Sequence, residues 1–88
     1  SCMITARQTR AARALLGWTQ EMLADKAKVS LTALKRMESA AGLRVYETTS
    51  DQVRRALEAE GIAFIRSGRN EGVMLVDVQE AAERKKFG

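Results

Sequence analysis

The stretch from Thr19 to Ser39 constrains the fold more than any other part of the chain. Thr19 and Ser30 are both placed to cap helix N-termini, because a hydroxyl there accepts from a backbone N–H that the first helical turn leaves unpaired. Behind Thr19 come Gln20 and Glu21, then an inner stripe of Leu23, Ala24 and Ala27. Behind Ser30, Leu34, Met37 and Glu38 share one face at i, i+3, i+4, and Thr32, Lys35 and Arg36 share another. The first helix ends near Ala27-Lys28, the second runs roughly from Leu31 to Ser39, and Val29 plugs the turn between them. Ala24 is small where two helices joined so tightly must cross closely.

The flanks extend the pattern. Thr5-Ala6-Arg7-Gln8 fits a reciprocal capping box, with Ala12, Leu15 and Leu16 as the apolar positions behind it, Arg7 and Arg10 on the exposed face, and Gly17 as the stop. Residues 40–48 read as a loop from which Val45 and Tyr46 tuck back onto the core. Thr49 with Gln52 forms a second capping box, opening a helix to about Glu60 with Val53, Ala56 and Leu57 inward and Gly61 as C-cap. The pattern then changes. Ile62 to Arg66 and Val73 to Val76 are short β-prone runs around the turn-forming segment Ser67 to Gly72, which reads as a β-hairpin. The tail from Val78 to Gly88 alternates charge and alanine, as a final helix or a frayed end. Trp18, Met22, Met37 and Met74 read as packing residues. The expectation is one mainly α domain: four or five helices over 1–61, a hairpin over 62–77 and a tail over 78–88.

Composition narrows the function. Of the 88 residues, those up to Tyr46 carry eight Lys/Arg against Glu21, Asp25 and Glu38, whereas the rest carry seven basic and eight acidic residues. A basic half joined to a neutral half points to contact with a polyanion. The sequence has no histidine and one cysteine, Cys2. No metal site, disulfide or cofactor is therefore expected, and most nucleophile–base pairs are removed, so an enzyme is not expected either. With no signal-peptide pattern and no apolar run approaching about 18 residues, the chain reads as cytoplasmic.

The spacing from Gln20 to Ser39 is that of a helix-turn-helix, in which the second helix enters the major groove and the first lies across the backbone. Thr19-Gln20, Leu23-Ala24, Val29-Ser30, Leu34 and Met37-Glu38 resemble the Cro/phage-repressor class of such domains, often called the Xre family. The run from Arg10 to Gln20 strengthens the likeness to small repressors of bacteria, phages and mobile elements. The resemblance covers roughly residues 4–60 and implies a lambda-repressor-like fold and double-stranded DNA as partner.

The resemblance also implies roles residue by residue. Leu31, Thr32 and Arg36 fall where the family reads bases, with Lys35 beside them. Gln20, Ser30 and Arg44 fall at phosphate positions, and Arg10 and Lys28 join them as phosphate contacts. Arg13 and Glu38 match a pair that forms an internal salt bridge. Lys28 departs from the family, which often has glycine at that turn; a Cβ in a left-handed turn costs about 1 kcal/mol. The hairpin, marginal alone in water, is expected to pair with its copy in a second subunit through Ile62, Phe64, Ile65, Val73 and Leu75. A homodimeric repressor on a palindromic operator follows, with an antitoxin or anti-activator that captures a protein through hairpin or tail as the alternative.

Overall fold

The computed structural model describes residues 3–77; the expected tail over 78–88 lies outside them. Four helices, α1 (Ala6–Leu16), α2 (Gln20–Ala27), α3 (Leu31–Met37) and α4 (Glu47–Ala59), precede an antiparallel hairpin of β1 (Ile62–Ser67) and β2 (Asn70–Leu75). The mainly α architecture with a C-terminal hairpin is as the sequence implies.

Local chemistry sets the first three helices. Thr5 Oγ1 accepts from Gln8 N at 3.1 Å while Thr5 N donates to Gln8 Oε1 at 3.0 Å, which completes the capping box. Thr19 accepts from Met22 N and Ser30 from Ala33 N, each at 3.1 Å. Gly17 ends α1 in the left-handed region at φ 68°, and Lys28 ends α2 there at φ 61°. The turn keeps its left-handed geometry with a Cβ present.

The fourth helix corrects the sequence expectation. It begins at Glu47 with Tyr46 as an N-cap that makes no side-chain capping bond, so the Thr49–Gln52 box does not form. Val45 packs against the core and fixes where the chain turns into the helix. Winding from Glu47 puts Ser50 on one buried stripe with Val53 and Leu57, and the Glu47 carboxylate favours the positive end of the helix dipole. The C-cap is Glu60, with Gly61 one residue beyond at φ 97°.

The core gathers Leu23, Ala24 and Ala27 of α2, Leu34 and Met37 of α3, Val53 and Leu57 of α4, Ala12 of α1, Ile4 and Ile62. Leu15 is left outside at 46 % exposure. The inward line of α1 runs through Gln8, Thr9, Ala12 and Leu16, and at 3.6 residues per turn Leu15 falls on its margin. Met22 and Met74, expected to pack, are exposed as well, whereas Trp18 packs partly buried against the core.

The hairpin turn is tighter than the sequence suggests. Ser67 pairs with Asn70, so only Gly68 and Arg69 lie between the strands. Gly68 has φ 61°, and glycine at the first central position permits a two-residue turn whose twist suits the strands. The strands pack on the helices, β2 on α1 and β1 on α4. Ile62 is buried and Phe64 and Val73 press on the core. Polar contacts latch the same region. Gln8 Nε2 donates to the carbonyls of Ile65 (3.1 Å) and Gly72 (3.0 Å), and Glu71 takes hydrogen bonds from Thr5 Oγ1 (3.2 Å) and Arg7 Nε (2.7 Å).

Candidate nucleic-acid interface

The third helix separates two faces. Leu34, Met37 and Glu38 are buried, and Thr32, Lys35 and Arg36 are exposed on the opposite side. Its N-cap Ser30 starts the helix with an extended backbone. The 3.6-residue period read from the sequence therefore survives intact in three dimensions. Leu31 differs from its neighbours in the expected base-reading set, being partly buried against the core.

Charge is distributed unequally around the molecule. Arg7, Arg13, Arg54 and Arg55 are all paired with carboxylates. Among the described residues the side chains of Lys26, Lys28, Lys35, Arg36, Arg44 and Arg69 make no hydrogen bond or ion pair. Three of these cations lie on α3 or in the loop that follows it. A groove of about 340 Å³ lies between α3 and the start of α4, with Ser30, Thr32, Arg36, Arg44, Tyr46 and Thr49 on its walls. Unpaired guanidinium groups beside hydroxyls and a helix N-terminus suit a polyanion, because the N–H groups there lack partners and carry partial positive charge.

Tyr46 and Thr49 are the residues of this groove that sequence reasoning missed. Tyr46 was expected to tuck inward and is instead 81 % exposed. The signal available was its position next to Arg44 and directly before a helix; an aromatic there reads equally well as a core residue from sequence.

A buried polar centre holds α3 from behind. Glu38 is 5 % exposed. Its Oε2 accepts from Arg13 Nε at 2.9 Å and its Oε1 from Arg13 Nη2 at 2.8 Å, a two-point pairing that carries the expected salt bridge. The hydrogen bond to Glu38, followed by its charge, pushes Arg13 further above its already high ordinary value against the opposing effect of burial. Arg13 Nη1 also donates to the Trp18 carbonyl at 3.1 Å. Gln20 Nε2 donates to Glu38 Oε1 at 3.1 Å, which brings α2 to the same carboxylate. Arg10 Nη1 donates to the Glu38 main-chain carbonyl at 2.5 Å. Gln20 and Arg10, both expected at phosphate, are thus engaged with Glu38. Among the described residues no buried side-chain N or O atom lacks a partner.

Of the five hairpin residues expected at a subunit interface, Ile62, Phe64 and Val73 are directed into the core of the chain itself, and Ile65 and Leu75 are exposed. No group of three or more Cys, Asp or Glu among the described residues is arranged to hold a metal ion. None of the described helices is long and apolar enough to cross a membrane. Compared with known families, residues 10–44 match a helix-turn-helix family model. No curated protein matches the chain.

Proposed function

We propose that residues 10–44, which match a helix-turn-helix family model, form a DNA-binding domain of the Cro/C1, Xre-like class, and that the chain is a sequence-specific transcriptional repressor that binds a palindromic operator as a homodimer. The observation that carries this reading is the exposed face of α3, where Thr32, Lys35 and Arg36 stand free over a buried face fixed by Leu34, Met37 and Glu38. In the major groove Arg36 donates to guanine O6 and N7, and the Thr32 methyl and Leu31 meet thymine methyl groups. Ser30, Lys28 and Arg44 take phosphates on either side, and Gln20 keeps a second amide N–H for a phosphate while its first holds Glu38. Repression follows from occupancy of the promoter.

Two copies related by a two-fold axis place their α3 helices about 34 Å apart, one helical turn of DNA. The hairpin supplies the contact through what it leaves outside. Ile65, Met74, Leu75 and Val76 are all exposed large apolar residues. The same exposed residues support a second reading, capture of a foreign protein as an antitoxin or anti-activator does.

Fluorescence anisotropy with duplexes from the region upstream of the protein's own gene, against scrambled duplexes at several salt concentrations, tests the proposal. Tight, sequence-dependent binding with a steep salt slope is expected. Equal, weak binding to every duplex, with light scattering showing a monomer, supports the protein-capturing reading instead.

A further inference from the structure

Arg10 and Arg13 sit three positions apart on α1, so both project from one side of it, and both end on Glu38. Arg13 holds the carboxylate. Arg10 holds the main-chain carbonyl of the same residue, at 2.5 Å. Glu38 is the C-cap of α3. Its carbonyl lies at the end where helix carbonyls have no partner within the helix and the dipole is negative. A guanidinium there satisfies an acceptor and complements the dipole at once.

We propose that Arg10 is a positioning residue for DNA reading: it fixes the C-terminal end of α3 from behind and so sets the angle at which Thr32, Lys35 and Arg36 are presented. The two arginines divide the work. The Arg13 pairing locks the Glu38 side chain, which leaves the helix free to pivot about that side chain. The Arg10 bond locks the backbone itself and removes the pivot. A guanidinium committed to this carbonyl is also drawn away from the DNA backbone, in contrast to Lys35, Arg36 and Arg44, which have no partner among the described residues. The role assigned to Arg10 rests on α3 being the base-reading helix.

The test compares the full chain with Arg10→Met, which keeps the apolar stem and removes the donor, and with Arg10→Lys, which keeps the charge and loses the guanidinium. Each is titrated against a duplex selected by the wild-type chain from a random-sequence pool and against its scrambled counterpart, across a salt series. For Arg10→Met a loss of about tenfold on the selected duplex is expected, with the scrambled duplex within about twofold and an unchanged salt slope. A slope shallower by about 0.9, with equal losses on both duplexes, makes Arg10 a phosphate contact and overturns the proposal. Retention of discrimination by Arg10→Lys, whose ammonium still donates to the carbonyl, supports the role, whereas full retention by Arg10→Met, which has no donor, overturns it. Amide hydrogen exchange without DNA supplies an independent arm. Faster exchange over Leu34–Glu38, with α4 unchanged, is expected for Arg10→Met. Unchanged α3 exchange overturns the positioning role even if the wild-type chain selects no sequence, an outcome that by itself removes only the repressor reading.

Discussion

A single carboxylate decides most at the residue scale. Glu38 is almost wholly buried, while its partner Arg13 retains 23 % side-chain exposure. The two halves of the pair are therefore unequal to remove. Arg13→Ala strands a buried carboxylate with only the Gln20 amide in reach, whereas Glu38→Ala leaves a guanidinium that water can still approach. Loss of one partner of a buried pair costs about 3–5 kcal/mol, so Arg13→Ala is expected in that range and Glu38→Ala below it, and both above Glu21→Ala, whose carboxylate is exposed. Urea denaturation of the three variants checks the order. Arg36 sits at the other extreme, exposed and unpaired among the described residues. Arg36→Ala is expected to leave stability unchanged and to lose about 1–3 kcal/mol of binding to the selected duplex. Binding to scrambled DNA stays nearly intact; an equal loss on both duplexes in anisotropy titrations would make it a phosphate contact.

Among the elements, the turn between α2 and α3 carries a measurable strain. Lys28 holds φ 61°, a conformation that disfavours any residue with a Cβ. Lys28→Gly relieves that cost and gives back part of it in unfolded-chain entropy, for a net gain of up to about 1 kcal/mol in a urea or thermal melt. The same substitution removes a cation near the start of α3. If Lys28 meets a phosphate as proposed, affinity falls on every duplex alike while stability rises, a pair of opposite signs that a purely conformational role does not produce. Helix α3 has only seven residues, too short to hold in water by its own hydrogen bonds. Its cap at Ser30, the buried Leu34 and Met37, and the two arginines of α1 at Glu38 are what keep it helical.

For the whole molecule, the hairpin is part of the core and not an appendage. It delivers Ile62 to the buried cluster and lays Phe64 and Val73 on it. Removing residues 62–88 would therefore open the core and cannot isolate a subunit contact. Substitution on the outer surface can. The register sets Ala63 opposite Met74 and Ile65 opposite Gly72, and residues paired across two strands share a face. Ile65 and Met74 thus lie on the uncovered side, at 47 % and 51 % exposure. The double variant Ile65→Lys, Met74→Lys is expected to keep its helical circular dichroism and to scatter light as a monomer at concentrations where the proposed wild-type homodimer forms. A variant that still dimerises moves the contact to the helices.

The sequence by itself determined what local chemistry can enforce. Thr5, Thr19 and Ser30 cap as their hydroxyls require, Gly17 takes the left-handed position at which the first helix ends, and the 3.6-residue period divides α3 into the two faces it shows. The Arg13–Glu38 bridge was legible only through resemblance, since nothing within the chain's spacing relates two charges on different helices. Tertiary structure alone decided the rest. Tyr46 read as a core residue, but only Val45 beside it took the inward place. The alternation along β1 and β2 named the apolar hairpin residues but not which side the helices would cover, because that depends on where α1 and α4 lie. Arg10 looked like any surface arginine on α1, and its bond to the end of α3 exists only because packing brings together two residues 28 positions apart. Caps and periods act over one turn of chain; the choice of partner for a long side chain is made by the packing of whole elements.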